Sequence, residues 1–202
     1  MTWCITWQIF SVILETFVKG YLPEALLAVV HPMVDATIEL YNVIGKELLP
    51  TPSKPHYTFN LRDVASVIQG VLSADQKALQ QSEDLIRLWS HENLRVYRDR
   101  LVNDDDRAWF DDLLKRLVPK FFAVEWSSVV AVEVNHLLYG DFMVPGAEPK
   151  VYAEIKDTSK MVTAVEECLE DYNATHTKKM PLVMFVDAVS HVARISRIIR
   201  QP

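Results

Sequence analysis

The tetrapeptide Asn60-Leu61-Arg62-Asp63 sets a guanidinium in the first turn of a predicted helix. Asn60 suits the N-cap, because its side-chain oxygen can accept a backbone N–H that the helix leaves unbonded. Asp63, three residues on, suits the positive helix end. An arginine so placed can be aimed at something outside its own helix. Upstream, Pro50, Pro52 and Pro55 fall within six residues. Each lacks a backbone N–H and fixes φ, so this stretch is a stiff connector and not helix interior. Pro55 holds Lys54 out of the helical region, and Tyr57-Thr58-Phe59 is extended in character.

Other residues of catalytic type are less well placed. Glu166/Glu167 and Asp104, Asp105 and Asp106 lie in highly charged, surface-like segments, where solvated helix ends are the default reading over a carboxylate dyad. His31, His56, His91, His136, His176 and His191 are scattered without ligand spacing, so no metal site is expected. Cys4 and Cys168 are far apart with no C-x-x-C, which points to a reducing compartment and to neither a disulfide framework nor a zinc site. Gly20, Gly45, Gly70, Gly140 and Gly146 supply no G-x-x-x-x-G-K-[ST], the loop whose amides cradle phosphates. No G-x-S-x-G, H-E-x-x-H or kinase signature is present. Self-contained catalysis is not expected.

The elements that must position Arg62 are helices. The chain is 50% hydrophobic and 24% charged with only 5 Gly among 202 residues, a composition that favours long helices over tight β turns. The net charge of −6 argues against a general nucleic-acid binder. Residues 103–112 carry five acids against one base, and residues 178–202 carry five bases against Asp187 alone. The basic tail reads as a solvated helix face in preference to an anion site. Trp3, Trp7, Phe10, Leu14 and Phe17 recur every three or four residues and predict an amphipathic packing helix. The N-terminus lacks the basic n-region and small-residue cleavage site of a signal peptide, and Glu15 interrupts its apolar run. No stretch reaches the ~20 apolar residues of a membrane span, and no membrane partner is expected.

Further helices are predicted over 24–49, with Pro32 as a kink, over 60–73, over 82–102 and over 105–118, the last ended by Pro119. In the 82–102 helix Leu85, Leu88, Trp89, Val96 and Leu101 fit the buried side; Glu83, Asp84, Arg87, Arg95, Arg98, Asp99 and Arg100 fit the wet side. Residues 121–147 are ambiguous, with turns at Gly140-Asp141 and Pro145-Gly146, and hold the expected boundary between two pieces. A helix follows over 158–173, capped by Thr158 or Ser159. The last runs from about residue 187 to 200, with Val189, Val192, Ile195, Ile198 and Ile199 inward and Arg194, Arg197 and Arg200 outward.

Residues 48–63 (LLPTPSKPHYTFNLRD), continuing through Val67-Ile68-Gln69-Gly70-Val71-Leu72, resemble dynein heavy chain of the axonemal type, in the lid of the third AAA+ module of its motor ring. The same register holds at 88–101, with its His-Glu and Arg-Val-Tyr-Arg-Asp-Arg-Leu pattern. It continues at Tyr139-Gly140-Asp141-Phe142, at Leu169-Glu170-Asp171-Tyr172-Asn173, and from Leu182-Val183-Met184-Phe185 to Gln201-Pro202. The resemblance covers roughly residues 9–202, and the first eight residues depart from it.

The resemblance implies a mainly α fold, a helical bundle-like AAA+ lid followed by a short helical segment leading into the next AAA+ module. It divides the chain into an N-terminal amphipathic helix (1–22), the lid of the third module (23–138), and a linker with the N-terminal segment of the fourth (139–202), cut before the phosphate-binding loop. It implies that Arg62 is a sensor-type arginine, able to fork onto γ-phosphate oxygens; the residues alone also allow a salt bridge to Asp63 or Glu47. It implies that Leu182, Val183, Met184 and Phe185 line an adenine pocket, where the plain alternative is a buried turn before a helix. Arg194, Arg197 and Arg200 read as inter-module contacts or a solvated face in preference to phosphate contacts.

The full-length family uses ATP/ADP with Mg to drive minus-end-directed microtubule movement in cilia and flagella. Its partners would be the remaining AAA+ modules, intermediate and light chains and microtubules, in the cytoplasm, cytoskeleton and ciliary axoneme. The isolated chain is expected to bind no cofactor and to hydrolyse no ATP. The alternative is a short helical interaction module derived from a dynein-like gene.

Overall fold

The computed structural model describes residues 2–130, 137–144 and 150–200, with ten regular elements in chain order. These are α1 (Thr2–Tyr21), α2 (Leu27–Glu47), α3 (Leu61–Leu72), α4 (Ser82–Val96), α5 (Asp104–Phe122), α6 (Trp126–Val129), β1 (Tyr139–Gly140), β2 (Ala153–Glu154), α7 (Thr158–Thr175) and α8 (Val186–Arg200). The fold is mainly α, as the composition and the resemblance led us to expect. The chain divides into two compact units, residues 1–134 and 135–202. The side chains of Trp3 and Arg200, the turn at Pro145-Gly146, His136, and Gln201-Pro202 lie outside the described residues.

The first unit is a helical bundle. Leu14 and Val18 of α1 are buried, and α1 packs against α2 and α3. Trp7 Nε1 donates to Asp35 Oδ1 at 2.8 Å, and His31 Nε2 lies 2.7 Å from Glu15 Oε1. These bonds bind the polar edge of the amphipathic seam. The opposite face of α1 leaves Ile5, Ile9, Val12 and Ile13 exposed.

Residues 24–47 are long and apolar enough to cross a membrane by length and composition alone, contrary to the sequence expectation. Packing accounts for that apolarity, because Val30, Met33, Val34, Leu40 and Ile44 are core residues. Pro32 lies within α2, and Pro119 lies within α5, which runs to Phe122 and not to Val118 as expected. A proline removes one backbone hydrogen bond, which does not end a helix whose apolar face is already docked on both sides of it. The α5 helix stops instead at Ala123, a non-glycine residue in the left-handed region with φ 55°.

Helix α4 buries polar as well as apolar residues. It packs against α2, α3, α6 and the 3-10 turn Glu24–Leu26. Its polar residues Ser90, His91, Glu92, Asn93 and Arg95 are therefore buried with Leu88, Trp89 and Leu94. Arg95 was expected on the wet side; α4 has no wet side there because neighbours surround it. The indole of Trp89 donates to Thr37 Oγ1 at 2.8 Å, and Thr37 Oγ1 donates to Met33 O at 2.7 Å, so the one polar group of this buried ring is satisfied.

The second unit is small. Strands β1 and β2 pair antiparallel, Tyr139 opposite Glu154 and Gly140 opposite Ala153. Leu138, Ile155, Met161, Val165 and Val189 form its core, with Phe142, Met143, Val162 and Met184 packed at the edge. The cap of α7 is Asp157, whose Oδ1 accepts from Ser159 N at 2.9 Å and Lys160 N at 3.2 Å; neither Thr158 nor Ser159 holds that position.

Helix α8 corrects the sequence expectation most. Val189 and Ala193 are buried, but so is Arg197, and Ser190 shares their face. Val192, Ile195, Ile198 and Ile199 turn outward, with Ile195 55% and Ile199 76% exposed. Helix α8 packs on α7 and β1, with Val189, Ser190, Ala193 and Arg197 buried and the apolar stripe of Val192, Ile195, Ile198 and Ile199 left exposed.

Candidate functional site

Arg62 sits at the second residue of α3, on a helix start fixed from three directions. Locally, the capping box forms in both halves: Asn60 Oδ1 accepts from Arg62 N at 2.8 Å, and Asn60 N donates to Asp63 Oδ2 at 2.8 Å. Inward, Val64, Val67, Ile68 and Val71 are buried, mainly against α4, so the helix cannot roll. Gly70 is the close-approach point. A Cβ built there would lie 1.8 Å from Glu92 Oε2, so the absence of a side chain is what lets the buried Glu92 carboxylate occupy that space.

The connector supplies the third constraint. Residues Thr51 and Lys54 close a tight turn, with Lys54 N donating to Thr51 O at 2.9 Å. The Lys54 ammonium pairs with Asp106 of α5, and Tyr57 O–H donates to the same carboxylate at 2.7 Å. Val102 N donates to Tyr57 Oη at 2.9 Å, so the phenol is both donor and acceptor in a buried position. His56 Nε2 lies 2.9 Å from Arg100 O. Arg100 in turn donates to Asp63 Oδ1 at 2.8 Å, to His56 O at 3.1 Å and to Thr58 O at 3.2 Å, and its guanidinium lies over the Phe59 ring.

Arg62 is exposed, and apart from its backbone N–H in the cap its side chain makes no hydrogen bond or ion pair among the described residues. The salt bridge to Asp63 or Glu47 that the sequence allowed is not formed. Asp63 is already engaged by Arg100 and by the cap. A guanidinium held on a rigid helix start and left free can fork onto the oxygens of an anionic ligand.

Charge in the clasp follows its contacts. Burial works to raise the Asp106 carboxyl, but the bonds from Lys54 and Tyr57 outweigh it and hold the group below its ordinary 3.8. The Asp106 contact pushes Lys54 above its ordinary 10.5, and burial pushes the Tyr57 hydroxyl up. A depressed carboxyl contributes stability above its unfolded pKa and loses it as pH falls through the folded one. A raised ammonium contributes below its unfolded pKa and loses it as pH rises through the folded one. The clasp is therefore intact from about pH 4 to about pH 10. Urea unfolding of wild type and Asp106→Asn at pH 7 and pH 3 checks this: the wild type is more stable at pH 7, and its advantage shrinks at pH 3.

Leu182, Val183, Met184 and Phe185 belong to the second unit. Asn173 anchors the loop before them, its Nδ2 donating to Met180 O at 3.1 Å and its Oδ1 accepting from Met180 N at 2.7 Å. Met184 packs on the core of that unit, while Leu182, Val183 and Phe185 are exposed, Val183 at 84%. So placed, Leu182, Val183 and Phe185 form neither a buried turn nor an enclosed pocket with the other described residues. Sequence reasoning missed the roles of Arg100, Lys54, Tyr57 and Asp106, whose partners lie tens of residues away along the chain.

The model of the AAA+ lid domain matches residues 33–131, a span that includes Arg62, Arg100 and Asp106 and leaves out α1 and the second unit. Dynein axonemal heavy chain 1 of Mus musculus is 47% identical over 205 residues, covering 96% of this chain and 5% of the relative. The chain belongs to the dynein heavy chain family. Dynein axonemal heavy chain 6 of Homo sapiens is 37% identical and dynein axonemal heavy chain 12 of Rattus norvegicus 38% identical, each over 96% of this chain and 5% and 7% of their own lengths. The chain thus spans only 5–7% of the length of these heavy chains. Within the family it corresponds to a motor-ring part built around an AAA+ lid.

Proposed function

We propose that this dynein heavy chain segment is the lid of the third AAA+ module and the lead into the fourth, and that it passes ATP-driven rearrangement from one module to the next. Arg62 reaches terminal phosphate oxygens of a nucleotide held by another part of the ring, so that lid position follows nucleotide state. Leu182, Val183 and Phe185 offer apolar area to the adenine of the fourth module. ATP or ADP with Mg would be bound by the assembled ring. The remaining AAA+ modules, intermediate and light chains and microtubules are the partners, and the output is minus-end-directed movement in the cytoskeleton of the ciliary axoneme. The isolated chain does not turn over ATP.

The observation that carries this reading is the free Arg62 guanidinium on a helix start pinned by the cap, by α4 and by the connector. A structure of a heavy-chain ring carrying this segment, with a non-hydrolysable ATP analogue, tests it. The expected result is a guanidinium nitrogen of Arg62 within hydrogen-bond distance of a γ-phosphate oxygen. ATP hydrolysis by the isolated chain that is lost in Arg62→Ala would contradict the reading.

A second reading, a helical interaction module, is favoured by one observation: the outward apolar stripe of α8 continues the exposed Leu182, Val183 and Phe185. Sizing at several concentrations separates the two, since a module of this kind self-associates or captures a partner and a clean monomer does neither.

A further inference from the structure

From the 3-10 turn Arg98–Arg100, the side chain of Arg100 reaches both the connector and the α3 cap. Its three donor bonds go to groups that flank Arg62 in sequence: two carbonyls, His56 O and Thr58 O, ahead of the cap, and one carboxylate, Asp63, behind it. Its own carbonyl lies 2.9 Å from His56 Nε2, which closes the contact from the other side. Its side chain is only 32% exposed, with the ring of Phe59 beneath it. A planar fork with several donors can hold two carbonyls of one backbone segment and a carboxylate at once; a lysine ammonium cannot match that geometry.

We infer that Arg100 is a positioning residue for Arg62: it occupies Asp63 and staples the extended segment 56–59 to the helix start, so that the Arg62 guanidinium is both free and fixed in direction. The inference rests on the sensor reading for its purpose. The stapling itself needs no nucleotide.

Two measurements separate the parts. In a heavy-chain ring carrying this segment, kcat and the KM for ATP are compared for wild type, Arg62→Ala, Arg100→Ala and the double variant. Loss of a charged hydrogen-bonding group at the phosphate raises KM by about tenfold. Arg100→Ala is expected to reproduce that rise, and the double variant to show no more than Arg62→Ala alone, because Arg100 acts only through Arg62. Effects that multiply, or an Arg100→Ala variant with wild-type KM, overturn the inference.

The second measurement uses this 202-residue chain and amide hydrogen exchange. Arg100→Ala is expected to speed exchange at the Asn60 and Arg62 amides about tenfold while α7 amides stay unchanged. Unchanged Asn60 and Arg62 amides overturn the stapling. If Arg62→Ala leaves KM alone, the sensor reading fails, and Arg100 is judged on exchange. Should Arg100→Ala not fold, Arg100→Lys keeps the charge for Asp63 without the fork. It carries the same expectation in smaller degree, and the same contradiction.

Discussion

Gly70→Ala is expected to destabilise the first unit by about 3 kcal/mol, the scale of overpacking that also disturbs a buried charge. The added methyl would lie 1.8 Å from Glu92 Oε2 and 2.2 Å from Glu92 Cδ. A carboxylate at the end of a side chain can normally swing aside at low cost. Glu92 is fully buried, with its Oε1 3.9 Å from His91 Nε2, so swinging aside means moving a buried carboxylate through packed neighbours. Either the carboxylate leaves its present surroundings or α3 lifts from α4, and the second outcome also moves Arg62. Chemical denaturation gives the magnitude. Gly45→Ala is the internal control: nothing lies within 4 Å of its added Cβ, so it is expected to stabilise α2 by about 0.5–1 kcal/mol. The double variant Gly70→Ala/Glu92→Ala is expected to lose less than the sum of its parts, because the second change vacates the space the first one fills.

Trp89→Ala is expected to cost about 3–5 kcal/mol, in the range of large aromatic truncations in a packed core. The indole has no exposed surface, meets Phe122 edge-on at 5.4 Å between centroids, and donates to the buried Thr37 hydroxyl. Truncation leaves a cavity where α2, α4 and α5 converge and removes the N–H from which Thr37 Oγ1 accepts a hydrogen bond. By contrast, Ile198→Ser on the outer face of α8 is expected to change stability by no more than about 0.5 kcal/mol, since Ile198 is 65% exposed. A large loss for Ile198→Ser would mean that the outward stripe of α8 is covered. Paired urea titrations of the two variants decide the point.

The local features of this fold were the most legible in sequence. The Asn60 cap, the three-proline connector and the apolar face of α3 each depend on residues within a few positions of one another; the cap and connector form as expected, and Val64, Val67, Ile68 and Val71 are buried while Leu61 at the helix start is exposed. What could not be read depends on distant neighbours. The periodicity of α4 marks one apolar side, but the helix is enclosed by α2, α3 and α6, so its polar residues are buried as well. The stripe of α8 is as regular as that of α3, yet it faces outward, because periodicity identifies a face and not what covers it.

Arg62 was found by its place in a first turn. Its freedom could not be foreseen, because that depends on Arg100 taking Asp63 across 37 residues of chain. The clasp of Lys54 and Tyr57 on Asp106 is hidden for the same reason, spanning about fifty residues.

In the proposed function Arg62 is held free for the phosphate of a nucleotide bound elsewhere in the ring. Its most direct test is the release rate of a fluorescent ADP analogue from a heavy-chain ring carrying this segment, in wild type, Arg62→Lys and Arg62→Ala, with ATP turnover followed in parallel. An arginine that forks onto phosphate oxygens predicts ATP-dependent changes in release that are lost in Arg62→Ala and only partly kept in Arg62→Lys, because an ammonium supplies charge without the fork. Release and turnover identical to wild type in both variants would contradict the account.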